Sequence, residues 1–257
     1  MTPKKGQRSC KTPVSFQVKA AGRTPLHFAL QPPEEKVPAK WCKAMIAVDL
    51  GRVSYDEGLS HQEQTHNKRV AGRVGDTVIL LEHDPVITIG KSGGEEDLLV
   101  SERNISERGI DIRRVNRGGK ITCHYPGQLV VYPIIDLSGY GDDIPAFVYN
   151  LEEVIIRTLT DFGVMGERIS RLRGIFVDNN KIAAIGIEVR NSVTMHGFAF
   201  NVVEDWSLYS MFIPCGITDK GVTFLERCVG PDTKFTMEMI RERVLHHFSD
   251  VFQKDIK

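Results

Sequence analysis

Two side chains with chemistry available to them stand at opposite ends of one strand-rich stretch, Lys181 and Cys215 within Gly174 to Gly216. A thiol attacks carbonyl carbon once it is a thiolate, and an amine close by serves as base or counter-charge. Taken alone, Cys215 reads as a buried structural thiol and Lys181 as a solvated turn residue. A second informative stretch runs from Arg117 to Asp136, with Gly118-Gly119, His124 and Pro126-Gly127-Gln128. Its glycines suggest backbone wrapping closely around something. Phosphate-binding G-x-G-x-x-G and Walker-A spacings are absent, and His124 has no partner at metal-ligand spacing, so it reads as a pocket-lining residue.

The elements that must position these residues are legible in part. Gly174 to Asp178, Lys181 to Arg190 and Val193 to Val202 are apolar runs separated by the pairs Asn179-Asn180 and Asn191-Ser192, which predicts a three-stranded antiparallel meander. Gly186 and Gly197 fall inside its strands, where a missing Cβ weakens the ladder unless a ligand or another backbone comes close. Upstream, Ala44 to Leu50 predicts a strand, Ser54 and Glu57 a capping box opening a mostly polar helix to about Val70 that lies exposed on one side, and Thr77–Glu82 and Val86–Gly90 two further strands about a turn at 83–85. Asp142 or Asp143 should cap a helix with Pro145 in its first turn and an apolar stripe through Phe147, Leu151, Val154, Ile155, Leu159 and Phe162, ending at Gly163. A last helix starts near Thr236 with Met237, Ile240, Val244, Leu245 and Phe248 at helical spacing.

Hydrophobic residues make up 41% of the 257 and charged residues 26%, with no apolar run of membrane-spanning length. The five cysteines are widely spaced and form no C-x-x-C pair, as expected of reduced thiols. The net charge of zero hides a basic head: residues 1–33 hold six lysines and arginines and no acid, leaving 27 basic against 33 acidic residues elsewhere. A mildly acidic body argues against binding nucleic acid. The head, rich in Lys, Arg, Ser and Thr, reads either as an organelle transit segment or as a disordered extension without an address. Residues 1–42 are thus expected to precede a catalytic domain over 43–257.

Four blocks, in order and spacing, resemble the lipoate-protein ligase B family, the lipoyl(octanoyl)transferases. They are Leu81 to Gly90, Arg117 to Pro133, Lys181 to Gly186 with Thr194 to Val202, and Ile213-Pro-Cys-Gly-Ile217 followed by Val222-Thr223. The resemblance covers about residues 45 to 225. The family usually shows Tyr-His-Gly-Pro-Gly-Gln where this chain has Cys123 to Gln128, and a Ser where Phe224 stands, departures that bear on the shape of the acyl pocket.

The resemblance implies an α+β fold, a mixed β-sheet with packed helices like the biotin/lipoate protein ligase catalytic domain. It implies transfer of an octanoyl group from octanoyl-acyl carrier protein to a lysine of lipoyl domains, on 2-oxoacid dehydrogenase E2 subunits and glycine cleavage H protein. Cys215 would carry the thioester and Lys181 assist, with no cofactor, metal, nucleic acid or membrane involved. Pro214 fixes the backbone before the nucleophile, and Gly216 leaves room for a backbone N–H to approach the oxyanion. The acyl and pantetheine pocket would comprise Arg117, Gly118, Gly119, Lys120, Ile121, Thr122, Cys123, His124, Ala184, Ile185, Gly186, Gly197, Phe198 and Ala199. Arg113, Arg114, Arg117 and Lys120 form the densest basic cluster nearby, expected to steer the acidic carrier. A transit segment would send the protein to a plastid or mitochondrion; without one it is cytoplasmic. Rival readings are an ATP-dependent lipoate/biotin-type ligase, separable by ATP turnover; a cysteine hydrolase pairing Cys215 with His124 or His196, separable by acid release without acceptor; and a non-catalytic binder of acylated carrier protein, indifferent to Cys215→Ser.

Overall fold

The computed structural model describes residues 44–214, 220–230 and 232–257. Strand β1 (Ala44–Val53) leads through helix α1 (Tyr55–Val70) to β2 (Thr77–His83), a parallel crossover in which β1 and β2 pair side by side. The expected Ser54–Glu57 capping box is present, each side chain accepting the other residue's backbone N–H. Strands β3 (Val86–Ile89), β4 (Asp111–Arg114) and β5 (Ile121–His124) make a small sheet in the order β4-β3-β5, and the short helix α2 (Glu102–Glu107) packs beside it. Thus β2 and β3, adjacent in sequence, belong to different sheets.

The large sheet continues with β6 (Gln128–Ile134), then helix α3 (Ile144–Asp161), strands β7 (Ile175–Val177), β8 (Asn180–Arg190) and β9 (Val193–Asn201), helices α4 (Leu225–Cys228) and α5 (Met237–Phe252), and the terminal β10 (Asp255–Ile256). Its order is β10-β1-β2-β6-β9-β8-β7, parallel from β10 to β2 and antiparallel from there on. The meander is as expected, with its first turn centred one residue earlier, on Asp178-Asn179. Those two residues, and Asn191 and Ser192 in the second turn, have positive φ, the backbone that tight primed hairpins require. Asp143 caps α3 and Thr236 caps α5, as their sequences indicated.

Strand alternation sorts the core. Val78, Leu80, Leu129, Val131, Phe198 and Phe200 face α3 and α5, which contribute Leu151, Val154, Ile155, Ile240, Val244 and Phe248. Ile79, Leu81, Val130, Tyr132 and Ala199 face the other way, toward α1 and the small sheet. Helix α1 is exposed on one side, as expected, and on the other Tyr55, Gly58, Gln62 and His66 form a buried stripe at helical spacing. The stripe carries hydrogen bonds in place of apolar packing, for Gln62 Oε1 accepts the His196 N–H at 2.8 Å and His66 Nε2 donates to the Arg190 carbonyl at 3.2 Å.

Gly174, which opens β7 at φ 109°, sits where a Cβ would run into the Ala183 carbonyl oxygen. Gly174→Ala is expected to destabilise the protein by about 2 kcal/mol or more through overpacking and backbone strain, measured by urea unfolding. An unchanged midpoint would show that this edge of the sheet yields.

Candidate active-site cavity

A cavity of about 450 Å³ lies between the β8–β9 hairpin and the segment from Arg117 to β5. Among the described residues, β8 has no strand partner on the β7 side beyond Ala183, and the cavity wraps that edge. It touches Ala184 and Gly186 on one face, and Ile185 and Ile187 with Ile144 and Val148 of α3 on the other. Of the residues singled out in the sequence, Arg117, Gly118, Gly119, Lys120, Thr122, His124, Lys181, Ala184, Ile185, Gly186, Gly197, Phe198 and Ala199 line it. Ile121 and Cys123 do not. Strand alternation in β5 sends Thr122 and His124 into the cavity and turns Ile121 and Cys123 into the second core, where both are fully buried with Ile87, Tyr125 and Phe224. Tyr55, Val130, Tyr132, Leu172 and the arginines Arg171 and Arg173 also line the cavity. Their sequence signal is weak, since Tyr55 opens a polar helix and Arg171 to Arg173 lie in an irregular connection.

The in-strand glycines serve the protein backbone. Gly186 and Gly197 pair directly across the β8–β9 ladder. A Cβ on Gly186 would meet the Gly118 carbonyl oxygen at 2.7 Å, and one on Gly197 would run into the Val131 carbonyl oxygen. Of the two alternatives for these glycines, a ligand or another backbone, the close approach here is that of the 117–119 loop and of β6. Gly118 N–H donates to the Ile187 carbonyl at 3.0 Å, tying that loop to β8. From the other side Gly90, Lys91 and Ser92 donate to the carbonyls of Lys120, Arg117 and Gly119. The Arg117 guanidinium is a buried strut, its Nη2 donating at 2.8 Å to both the carbonyl and the hydroxyl oxygen of Thr88.

Lys181 is only 7% exposed, and its Nζ donates to the Arg173 carbonyl at 3.0 Å. Its backbone is bracketed by the chain that follows Cys215: Lys181 N–H donates to Gly221 O and Thr223 N–H to Lys181 O, both at 2.9 Å. Cys215 and Gly216 themselves lie outside the described residues.

Three imidazoles border the polar part of the site. His83 Nδ1 donates to Val53 O at 3.2 Å, so its Nε2 accepts from the Tyr132 hydroxyl at 2.7 Å. Gln128 Nε2 donates to Cys123 O and to Asn201 Oδ1, which turns its Oε1 toward His124, whose Nδ1–H donates to it at 2.8 Å. The His124 tautomer thus leaves Nε2 as an acceptor. Burial pushes His83 down to about 4 and His196 down to about 3; burial, then the nearby His83, holds His124 well below its ordinary value. Burial also pushes the Tyr55 hydroxyl up to about 12. At neutral pH these rings are uncharged and stand near the buried Arg117 guanidinium.

The expected basic docking patch is neutralised. Arg113 pairs with Asp56 and Asp111, Arg114 with Glu95 and Glu102, Lys120 with Asp97 at 3.0 Å, and Arg117 is buried. Sequence clustering of cations missed the acids that the fold brings opposite them. Among the described residues His246, His247 and Asp250 are spaced for a metal ion, on α5, none of whose residues lines the cavity.

Residues 54–249 match the family model of the lipoyl protein ligase A/B catalytic domain. The chain is 47% identical over 209 residues to the octanoyltransferase of Caldicellulosiruptor bescii, covering 80% of this chain and 91% of the relative, and 40% identical over 216 residues to that of Acidobacterium capsulatum, covering 79% and 88%. In fold it is similar to a bi-partite lipoate protein ligase of an archaeal lipoylation system from Thermoplasma acidophilum, with a TM-score of 0.64 at 16% identity over 84% of this chain and 86% of that one. These bacterial relatives lend no support to a transit segment, and the residues on which that expectation rests, like the expected boundary at 42/43, lie outside the described ones.

The depressed imidazoles carry a pH signature. A histidine held neutral in the fold but ordinary when unfolded gives the unfolded state more protons below about pH 6.5, so stability is full above that pH and falls as acid is added, until the folded values near 4 and 3 are passed. His83 alone is expected to remove about 3 kcal/mol between pH 6.5 and 4, read by urea unfolding across that window. A flat profile would mean that the rings take up protons without leaving the fold.

Proposed function

Because the chain belongs to the lipoyl protein ligase A/B catalytic domain family and, within it, to the octanoyltransferases, which are acyltransferases, we propose that it carries octanoyl groups from octanoyl-acyl carrier protein to a lysine of lipoyl domains through a thioester on Cys215. The observation that carries this reading is Lys181. It is a nearly buried amine on a part-apolar cavity, and its backbone is hydrogen bonded to Gly221 and Thr223, a few residues after Cys215 in sequence.

In the first half-reaction Lys181 takes the thiol proton and the Cys215 sulfur adds to the donor carbonyl. The carbon–sulfur bond to the pantetheine arm breaks, and the departing thiolate receives the proton from Lys181. In the second, the acceptor lysine's amine forms the amide bond, the bond to the Cys215 sulfur breaks, and the amine's proton returns to that sulfur through Lys181. Exchange of one thioester for another is nearly isoenergetic, so no nucleotide is consumed. The apolar side chains of Val130, Ile185 and Phe198 suit an alkyl tail. Acceptors would be lipoyl domains of E2 subunits and the glycine cleavage H protein; the archaeal ligase of similar fold is described with its own E2 lipoyl domain. In place of the neutralised cluster, Arg171 and Arg173, exposed at the rim and with no acidic partner among the described residues, are the cations an acidic carrier would meet.

Incubated with octanoyl-acyl carrier protein and no acceptor, the protein should gain one octanoyl mass that hydroxylamine removes. Cys215→Ala should gain none. Cys123→Ala, altered in the second core, should still be acylated, and Lys181→Ala should load about a hundredfold more slowly. An adduct on Cys123, or normal acceptor octanoylation by Cys215→Ala, would overturn the mechanism.

A further inference from the structure

We propose that helix α5 carries a surface site for a divalent transition-metal ion of the zinc, nickel and cobalt class, built from His246, His247 and Asp250 and separate from the acyl-transfer cavity. On a helix, residues four apart stand one above the other, so His246 and Asp250 share a face and His247 adjoins it. One donor atom from each of the three falls within 4.8 Å of the other two. His246 Nε2 and Asp250 Oδ2 are 3.4 Å apart, which matches the edge of a tetrahedron around an ion with bonds of about 2.0–2.1 Å to nitrogen and oxygen. His247 is oriented for the same task. Its Nε2–H donates to Asp161 Oδ2, in the last residue of α3, at 2.7 Å. That bond fixes the tautomer and leaves Nδ1 a bare lone pair, and this Nδ1 is buried without a hydrogen-bond partner. A carboxylate behind an imidazole whose other nitrogen is open is the arrangement that orients metal-binding histidines and raises their basicity.

The charge pattern points the same way. Helix α5 ends at Phe252, and its last turn contains Asp250 and no lysine or arginine. The C-terminal end of a helix carries partial negative charge, so a carboxylate there is disfavoured and a cation beside it is stabilised. An ion held by Asp250 and the two imidazoles supplies that cation. Two nitrogens and a carboxylate oxygen suit zinc, nickel and cobalt, whereas magnesium and calcium take shells of oxygen. With three protein ligands, water completes the coordination. Because Ile240, Val244 and Phe248 of the same helix lie in the main core and His247 is tied to α3 through Asp161, an ion at this point stabilises the folded chain.

The test is titration of the untagged full-length protein with zinc, nickel or cobalt(II) chloride, read by calorimetry and by thermal melting. One ion should bind at this site, and at about a hundredfold excess over its dissociation constant the melting temperature should rise by about 5 °C or more, while magnesium and calcium leave it unchanged. His246→Ala and Asp250→Asn, both altered at exposed positions, should melt like wild type without metal and lose the rise. Asp161→Asn should weaken binding by about ten- to a hundredfold, the effect of removing an orienting carboxylate. Cys215→Ala separates the site from the reactive thiol: it should still bind one cobalt ion, with no sulfur-to-metal charge-transfer band. Binding that vanishes in Cys215→Ala, binding that survives undiminished in both His246→Ala and Asp250→Asn, or wild-type protein that shows neither heat nor a melting shift with any of the three metals overturns the site.

Discussion

A single backbone hydrogen bond, from Gly118 N–H to the Ile187 carbonyl, holds the roof of the cavity to its floor. It forms on the free edge of β8, where no further strand takes that carbonyl, and it requires the two chains to approach over Gly186, where there is no side chain. One such bond contributes about 1 kcal/mol net, too little to hold a loop by itself. The loop is therefore braced from behind by Gly90, Lys91 and Ser92, and from beneath by the Arg117 guanidinium on Thr88. Because β3 supplies Thr88 and β8 supplies Ile187, the small sheet and the large one meet in this loop, beside the cavity.

A second polar thread joins the floor to the chain beside Lys181. His124 donates to Gln128, Gln128 to Asn201, Asn201 to the Thr223 carbonyl, and Thr223 N–H to the Lys181 carbonyl. Every link has one donor and one acceptor, so each side chain has a single orientation that satisfies the run. Asn201 Oδ1 also accepts from the hydroxyls of Tyr125 and Tyr209, which ties the thread into the second core. Buried polar groups satisfied in this way rigidify a site at no cost in unmet hydrogen bonds. The segment at Val222 and Thr223 is thus held in register by residues from β6 and β9, far from it in sequence.

What could be read from the sequence follows from how local each signal was. The β7–β8–β9 meander, the α1 capping box and the Asp143 and Thr236 caps depend on residues within a few positions of one another, and all were legible. So was most of the cavity lining, through family blocks. Three features were not. The β5 block was read as uniformly pocket-lining because a motif carries no facing, and the pleat sent Ile121 and Cys123 the other way. The cation cluster at 113–120 looked free because its carboxylates, Asp56, Glu95, Asp97 and Glu102, arrive from α1, the loop before α2, and α2 itself. The buried stripe of α1 was invisible to an apolar periodicity, since Gln62 and His66 bury hydrogen bonds and not hydrocarbon.

The bond between Gln62 and His196 has one more consequence, which concerns local opening. An amide in the middle of an antiparallel sheet ordinarily gives up its hydrogen to solvent only when a neighbouring strand peels away. The His196 amide is guarded by a side chain from a helix, so its exchange is governed by the lifting of α1 from the sheet. Within one strand, adjacent amides therefore report on two different cooperative units, and the slow clock at residue 196 measures how firmly a polar helix is seated.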